Sequence, residues 1–157
     1  MRVYLVQHGE AKSEEEDAQR RLTDKGIRGV QNVTDFLRPF GVKVEAIWHS
    51  GKDRAQQTAE ILAGGVSATQ GMLQRNGLAP KDAVAPVKQA LEQSAGDVMI
   101  VGHLPFLGKL AALLIVDDEE AEIVTFQFGC VVCIERVQNG PWKLAWMIVP
   151  ALLGPLA

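Results

Sequence analysis

The chain has 157 residues, 47% of them hydrophobic and 22% charged, and its 16 Lys and Arg against 19 Asp and Glu leave a net charge of −3. That balance excludes a disordered or low-complexity chain, and it excludes a nucleic-acid surface built on bulk positive charge. The length fits one domain over residues 1–157.

The run Val3-Tyr4-Leu5-Val6 reads as a buried strand over residues 2–6 that leaves His8 at its carboxyl end. It is too short for an export signal, which predicts a cytoplasmic location. Ser13-Glu14-Glu15-Glu16-Asp17 is polar loop. Thr23-Asp24 then caps a helix with Ile27, Val30, Val33 and Leu37 on its apolar face, stopped by Pro39 and Gly41. Residues 44–48 read as a second strand, and Ala55, Ala59 and Leu62 mark a helix from Asp53 to Gly64-Gly65. Residues 66–80 show no period and read mostly as loop.

A helix beginning near Lys81 carries Val84, Val87 and Leu91, with Pro86 in its first turns. Residues 97–101 are a buried strand, and Pro105 opens a helix with Leu107, Leu110, Ala111 and Leu114 inward. The apolar stretch 98–116 holds His103, Lys109 and Pro105, so it reads as strand, loop and helix rather than a membrane span. Residues 122–128, 131–137 and 143–149 read as three strands, with Asn139-Gly140 as a hairpin turn. Cys130 and Cys133 lie three apart in strand pattern, so they point to opposite faces and form no redox or zinc pair. The apolar tail 146–157 is broken by Pro150, Gly154 and Pro155 and packs as irregular chain. Strands alternating with helices, then hairpins, define an α/β sheet with a mixed edge.

In such a sheet ligands bind beyond the carboxyl ends of the strands. The three strand ends lead into Gln7-His8-Gly9-Glu10, His49-Ser50-Gly51-Lys52-Asp53-Arg54 and Gly102-His103-Leu104-Pro105. Imidazoles for nucleophilic work and a guanidinium for planar anion binding suit a phosphoryl group. The chain has neither a Walker glycine loop nor a paired-carboxylate metal site. A metal-independent, cofactor-free hydrolase working through phosphohistidine is therefore more economical than a kinase. A zinc site of His8, His49 and His103 is disfavoured because no two of them have helical ligand spacing.

Four segments resemble the histidine phosphatase superfamily, and within it the short phosphohistidine phosphatases of the SixA type. They are Val3 through Ala11, similar to a first strand with an Arg-His-Gly motif; Arg20-Arg21-Leu22-Thr23-Asp24-Lys25-Gly26; Ser50 through Ala59, with Arg54-Ala55-Gln56-Gln57-Thr58-Ala59; and Val101-Gly102-His103-Leu104-Pro105. The resemblance implies a phosphoglycerate mutase-like fold: a three-layer sandwich with a mostly parallel central sheet, helices on both faces and antiparallel C-terminal strands. It implies that His8 takes the phosphoryl group, that Arg54 and Arg20 hold its oxygens, that Gln7 and Gly9 belong to the binding loop, and that His103 stabilises the transferring charge. His8 is expected to donate its other ring nitrogen to a backbone carbonyl near Gly9.

The departure is Gln7, where the family has arginine: two neutral donors and a carbonyl replace a charged fork. Candidate general acids are Glu10, Asp82, Glu92 and Asp97. The implied function is a phosphatase acting on phosphohistidine carried by a protein, such as a signal-transduction domain. The alternatives are a phosphomonoesterase on small esters or phosphoprotein, and a weakened phosphate-binding module marked by Gln7. Neither nucleic acid nor membrane is an expected partner.

Overall fold

The computed structural model describes residues 1–155. Its first strand, β1 (Arg2–Gln7), alternates Val3 and Leu5 toward one face with Tyr4 and Val6 toward the other, and all four are buried. Burial on both faces explains why the segment reads as a continuous apolar run rather than as an alternating one. Helix α1 (Asp24–Leu37) follows, then a single 3-10 turn at Arg38–Phe40 that ends at the left-handed Gly41. Next come β2 (Lys43–Val44), β3 (Ala46–His49), α2 (Asp53–Leu62), β4 (Ser67–Ala68), β5 (Met72–Gln74) and α3 (Ala85–Gln93). The chain continues through β6 (Val98–Gly102), α4 (Phe106–Val116), β7 (Val131–Glu135) and β8 (Lys143–Ile148).

Six strands form one sheet in the order β5-β3-β6-β1-β7-β8. The pairs β1 with β6, β3 with β6 and β3 with β5 are parallel, whereas β7 pairs antiparallel with both β1 and β8. Val87 and Leu91 of α3, with Leu107, Leu110 and Leu114 of α4, pack on the face that carries Val3, Leu5 and Ile100. Val30, Val33 and Leu37 of α1, with Ala55, Ala59 and Leu62 of α2, cover the other face against Tyr4, Val6, Met99 and Val101. The result is the three-layer α/β sandwich. Cys130 belongs to the first core and Cys133 to the second, as their spacing on a strand requires, and both are free thiols. Among the described residues no helix is long and apolar enough to cross a membrane.

Five expectations need correction. Residues 122–128 form no strand. The inner strands β1 and β7 already have both their neighbours, and residues 122–128 pair with neither open edge of the sheet, β5 or β8. Residues 66–80 contain β4, paired with β2, and β5, an edge strand on β3; at two and three residues these are too short to show a period. The 44–48 strand divides at Glu45, whose N–H donates to Asp97 O (2.7 Å), and its two parts join different sheets. Helix α3 starts at Ala85 rather than Lys81, because Asp82 accepts the Ala79 N–H (2.9 Å) and closes a turn ahead of it. Ile27, placed on the apolar face of α1, is 40% exposed, and Gly26, Gly29 and Thr34 take part in the buried face instead.

Gly26 sets how closely α1 approaches the loop after β1. A Cβ there would collide with the carbonyl oxygen of Glu10 and come within 2.9 Å of its nitrogen. Gly26→Ala is expected to lower stability by about 1–3 kcal/mol through this overpacking, read as a fall in urea midpoint at unchanged slope. An unchanged midpoint would show that α1 can retreat freely.

Candidate active site

The parallel register places Gln7 beside Gly102, so the residues that follow them, His8 and His103, emerge at adjacent strand ends. The His8 N–H donates to Gly102 O (3.0 Å), which ties the two loops together. The imidazole centroids lie 5.1 Å apart at an interplanar angle of 52°. Both rings are buried, at 6% and 2% exposure.

His8 Nδ1 lies 2.7 Å from Gly9 O. A carbonyl can only accept, so this nitrogen carries the proton in the neutral ring and Nε2 keeps its lone pair. Burial, with the nearby Arg54 and Arg20 cations, lowers the His8 pKa from 6.5 to about 4, against the opposing pull of Gly9 O. His103 is lowered to about 3 by burial first, then by His8, Arg54, Lys52 and Arg20. Both are therefore neutral near pH 7, which leaves the His8 Nε2 lone pair free at that pH.

Gly9, expected in the binding loop, has both backbone groups engaged. Its N–H donates to Thr58 Oγ1 (3.0 Å) while its carbonyl receives His8. Thr58 in turn donates to Arg54 O (2.7 Å), so α2 is locked to the nucleophile's loop. Gln57 Oε1 accepts the Leu22 N–H (2.8 Å), which fixes the segment carrying Arg20. Arg20 itself has a left-handed backbone, φ +50°, and donates Nε to Lys12 O (3.2 Å). Arg54 at the start of α2, Arg20 and Lys52 line one cleft of about 340 Å³, together with Glu14 and Asp53. Burial and the neighbouring Arg20 push the Arg54 pKa down, whereas Glu14 pushes it up. Like charges held together in this way favour an anion between them.

Three buried polar atoms of this region have no hydrogen-bond partner in the protein: Arg54 Nε, His103 Nδ1 and Gln7 Oε1. Gln7 is buried at the end of β1, and its unpartnered carbonyl oxygen carries lone pairs that repel an anion.

His49 does not join the pair. Its Nδ1 accepts the Gly51 N–H (3.1 Å) and shapes its own turn. Among the described residues no group of three or more His, Cys, Asp or Glu side chains is arranged to hold a metal ion. A larger cleft of about 720 Å³ opens at the other end of the sheet, between Phe36, Phe40 and Trp146, and contains none of the imidazoles.

Two contacts were beyond sequence reasoning. Ser50 Oγ lies 2.6 Å from His103 Nε2, so it orients that ring and leaves Nδ1 as its second polar atom. Phe128 lies against His8 with ring centroids 5.6 Å apart. Ser50 opens the motif that carries Arg54, which is the one signal that pointed toward it.

The depressed histidine pKa values make stability depend on pH. Below 6.5 the unfolded chain binds protons at His8 and His103 that the folded site refuses until about pH 4 and 3. The contribution is fully present above pH 6.5 and is lost as pH falls through that window, by up to about 1.4 kcal/mol per pH unit for each histidine. Urea unfolding at pH 7 and pH 5 should show the loss, and His8→Ala should reduce it. Equal stability at the two pH values would contradict buried neutral imidazoles.

The chain belongs to the histidine phosphatase superfamily (branch 1), whose family model matches residues 3–78. An uncharacterized protein of Picosynechococcus sp. (strain ATCC 27264 / PCC 7002 / PR-6) is 36% identical over 118 residues, 71% of each chain. The solved structure of the protein histidine phosphatase SixA complexed with tungstate is similar at a TM-score of 0.84 and 24% identity, over 98% of this chain and 100% of that one. The alpha-ribazole phosphatase from Shigella flexneri is similar at 0.70 and 19%, over 92% and 94%. The fold is phosphoglycerate mutase-like. Family membership supports phosphatase activity.

Proposed function

We propose that the chain hydrolyses phosphohistidine carried by a partner protein, through a covalent phosphohistidine at His8. The observation that carries this reading is the charge around the two imidazoles. The charged groups acting on His8 are Arg54 and Arg20, and those acting on His103 are Arg54, Lys52 and Arg20. The carboxylates considered as proton donors are engaged or placed elsewhere. Glu10 Oε2 accepts from Thr23 Oγ1 (2.8 Å), Asp82 from the Ala79 N–H, and Asp97 from the Arg2 N–H (2.8 Å). Asp97 and Glu92 precede β6 and so lie away from the strand end that carries His103. An alkoxide leaving group needs a proton as the P–O bond breaks. A phosphoimidazole protonated on its distal nitrogen leaves as neutral imidazole and needs no such donor.

In the first step His8 Nε2 gives its lone pair to phosphorus, the P–N bond of the substrate breaks, and its electron pair goes to the departing imidazole. Arg54 and Arg20 hold the phosphoryl oxygens, and His103 Nδ1 stabilises the charge in transfer. In the second step a water attacks phosphorus, releases a proton to solvent, and returns the P–N bond pair to His8. The cationic cleft opens on the surface, which supports a protein-borne phosphoryl group such as that of a signalling domain. A substrate panel tests this: kcat/KM for a phosphohistidine peptide and phosphoramidate should exceed that for alkyl phosphate esters. A preference for esters would favour the phosphomonoesterase alternative.

Gln7 favours a second reading, a phosphate-binding module with weak turnover. A charge-assisted hydrogen bond is worth about 1.5–3 kcal/mol against about 1 for a neutral one, so Gln7→Arg is expected to raise kcat/KM by about tenfold. An unchanged or lower rate would show that the pocket is adapted to glutamine.

A further inference from the structure

The mechanism leaves Phe128 without a part, although it touches the nucleophile. Its ring centroid is 5.6 Å from that of His8, tilted by 42°, and yet the residue is 49% exposed. It is not a loose surface side chain. The next residue, Gly129, donates its N–H to both Gln7 O (3.0 Å) and His8 O (3.2 Å), so the chain at Phe128 is pinned to the nucleophile's own backbone. Gly129 holds φ +75°, and a Cβ there would sit 3.0 Å from Pro150 Cγ, which fixes the turn against the last 3-10 segment, Pro150–Leu153. The ring also walls a small cleft of about 210 Å³ shared with Gly9, Glu10, Lys25 and Pro150, separate from the one that Arg54 and Arg20 line. The other ring beside His8 is that of His103, and the following Leu104 is 41% exposed. His8 thus has two ring neighbours, a polar one at the adjacent strand end and an apolar one whose position its own backbone sets.

Core packing does not require this arrangement, since about half of Phe128 remains in water. A half-exposed aromatic held at a fixed place beside a reacting nitrogen is suited to receive another flat ring. We infer that Phe128 is the aromatic wall of a leaving-group subsite, selecting phosphoryl groups attached to a planar ring over those attached to an open chain. The inference rests on the phosphatase reading of the His8 site and deepens it, because the imidazole of phosphohistidine is such a ring. In-line displacement puts the leaving ring beyond phosphorus from His8 Nε2, and a half-exposed ring that flanks His8 is near enough to meet it there. Offset or edge-to-face pairs with centroids 4.5–7 Å apart correspond to a preference of about two- to tenfold.

The test uses non-hydrolysable ligands, so that it does not depend on turnover. Calorimetric titration of the full chain with phenylphosphonate and methylphosphonate should show tighter binding of the phenyl compound by about two- to tenfold. Phe128→Ala should bring phenylphosphonate down to the affinity of methylphosphonate, and Phe128→Trp should keep the preference. Equal affinities in the wild type would overturn the inference, as would a preference that survives Phe128→Ala. Loss of methylphosphonate binding in Phe128→Ala would overturn it too, by showing a structural role. An aryl preference that depends on Phe128, in a chain that leaves phosphohistidine peptide intact, would keep the subsite and remove phosphohistidine as the substrate.

Discussion

His8→Ala is expected to lower kcat by about four orders of magnitude or more while inorganic phosphate still binds, because in the proposed mechanism the variant removes the atom that takes the phosphoryl group and leaves the cations in place. The geometry behind this is narrow. Gly9 O holds Nδ1–H at 2.7 Å, and Gly9 is itself held by Thr58, so Nε2 is the free nitrogen and its direction is set by the backbone. Burial and two arginines keep the ring neutral down to about pH 4. The acidic limb of kcat/KM that belongs to the enzyme should therefore lie near pH 4 rather than near 6.5. Calorimetry for phosphate beside a steady-state assay checks both halves. Residual activity within a hundredfold of wild type would mean that another group accepts the phosphoryl.

The second large effect belongs to His103. Its Nδ1 is buried and unpartnered, its Nε2 is held by Ser50, and its ring faces that of His8. A donor placed in advance at a position where charge develops contributes about 10²–10³ in kcat. His103→Ala should lose that much, with phosphate affinity changed by far less because Arg54 and Arg20 remain. The His8 pKa should rise in the variant, since a polar neighbour and its desolvating bulk are gone; an NMR titration of His8 reads this directly. Equal losses in kcat and phosphate affinity would assign His103 to ground-state binding.

The parts of the fold that the sequence discloses are those in which one element carries its own signal. Val3-Tyr4-Leu5-Val6 is buried on both faces and needs no neighbour to be read as a strand. Val30, Val33 and Leu37 show the helical period because a whole sheet face lies beneath them. Where structure depends on a partner, the local signal misleads. The β5 strand has three residues and exists because β3 offers it an edge, whereas residues 122–128 have strand composition and pair with no strand. Ile27 shares the period of α1 but stays 40% exposed, while its neighbour Gly26 brings the helix against Glu10 in the loop after β1.

The site divides in the same way. His8, His103 and Arg54 follow strand ends or open a helix, and topology alone brings such positions together. Ser50 against His103 and Phe128 against His8 are contacts across 53 and 120 residues of chain, and no local pattern encodes them. Gly9 adds something the motif does not state. The motif marks it as part of the binding loop, and in the fold both its backbone groups are engaged by His8 and Thr58, so it also holds the His8 ring in place. The exchange at Gln7 is visible in the sequence. That its Oε1 is buried and unpartnered is visible only in the fold.

The most direct measurement is a single-turnover reaction of the chain with a radiolabelled phosphohistidine protein at neutral pH, quenched in alkali to preserve acid-labile phosphate. Transient label on His8, absent in His8→Ala and followed by release of inorganic phosphate, is the result expected of the proposed mechanism. Release of phosphate without label on the chain, or no release from a folded chain that binds phosphate, would contradict it.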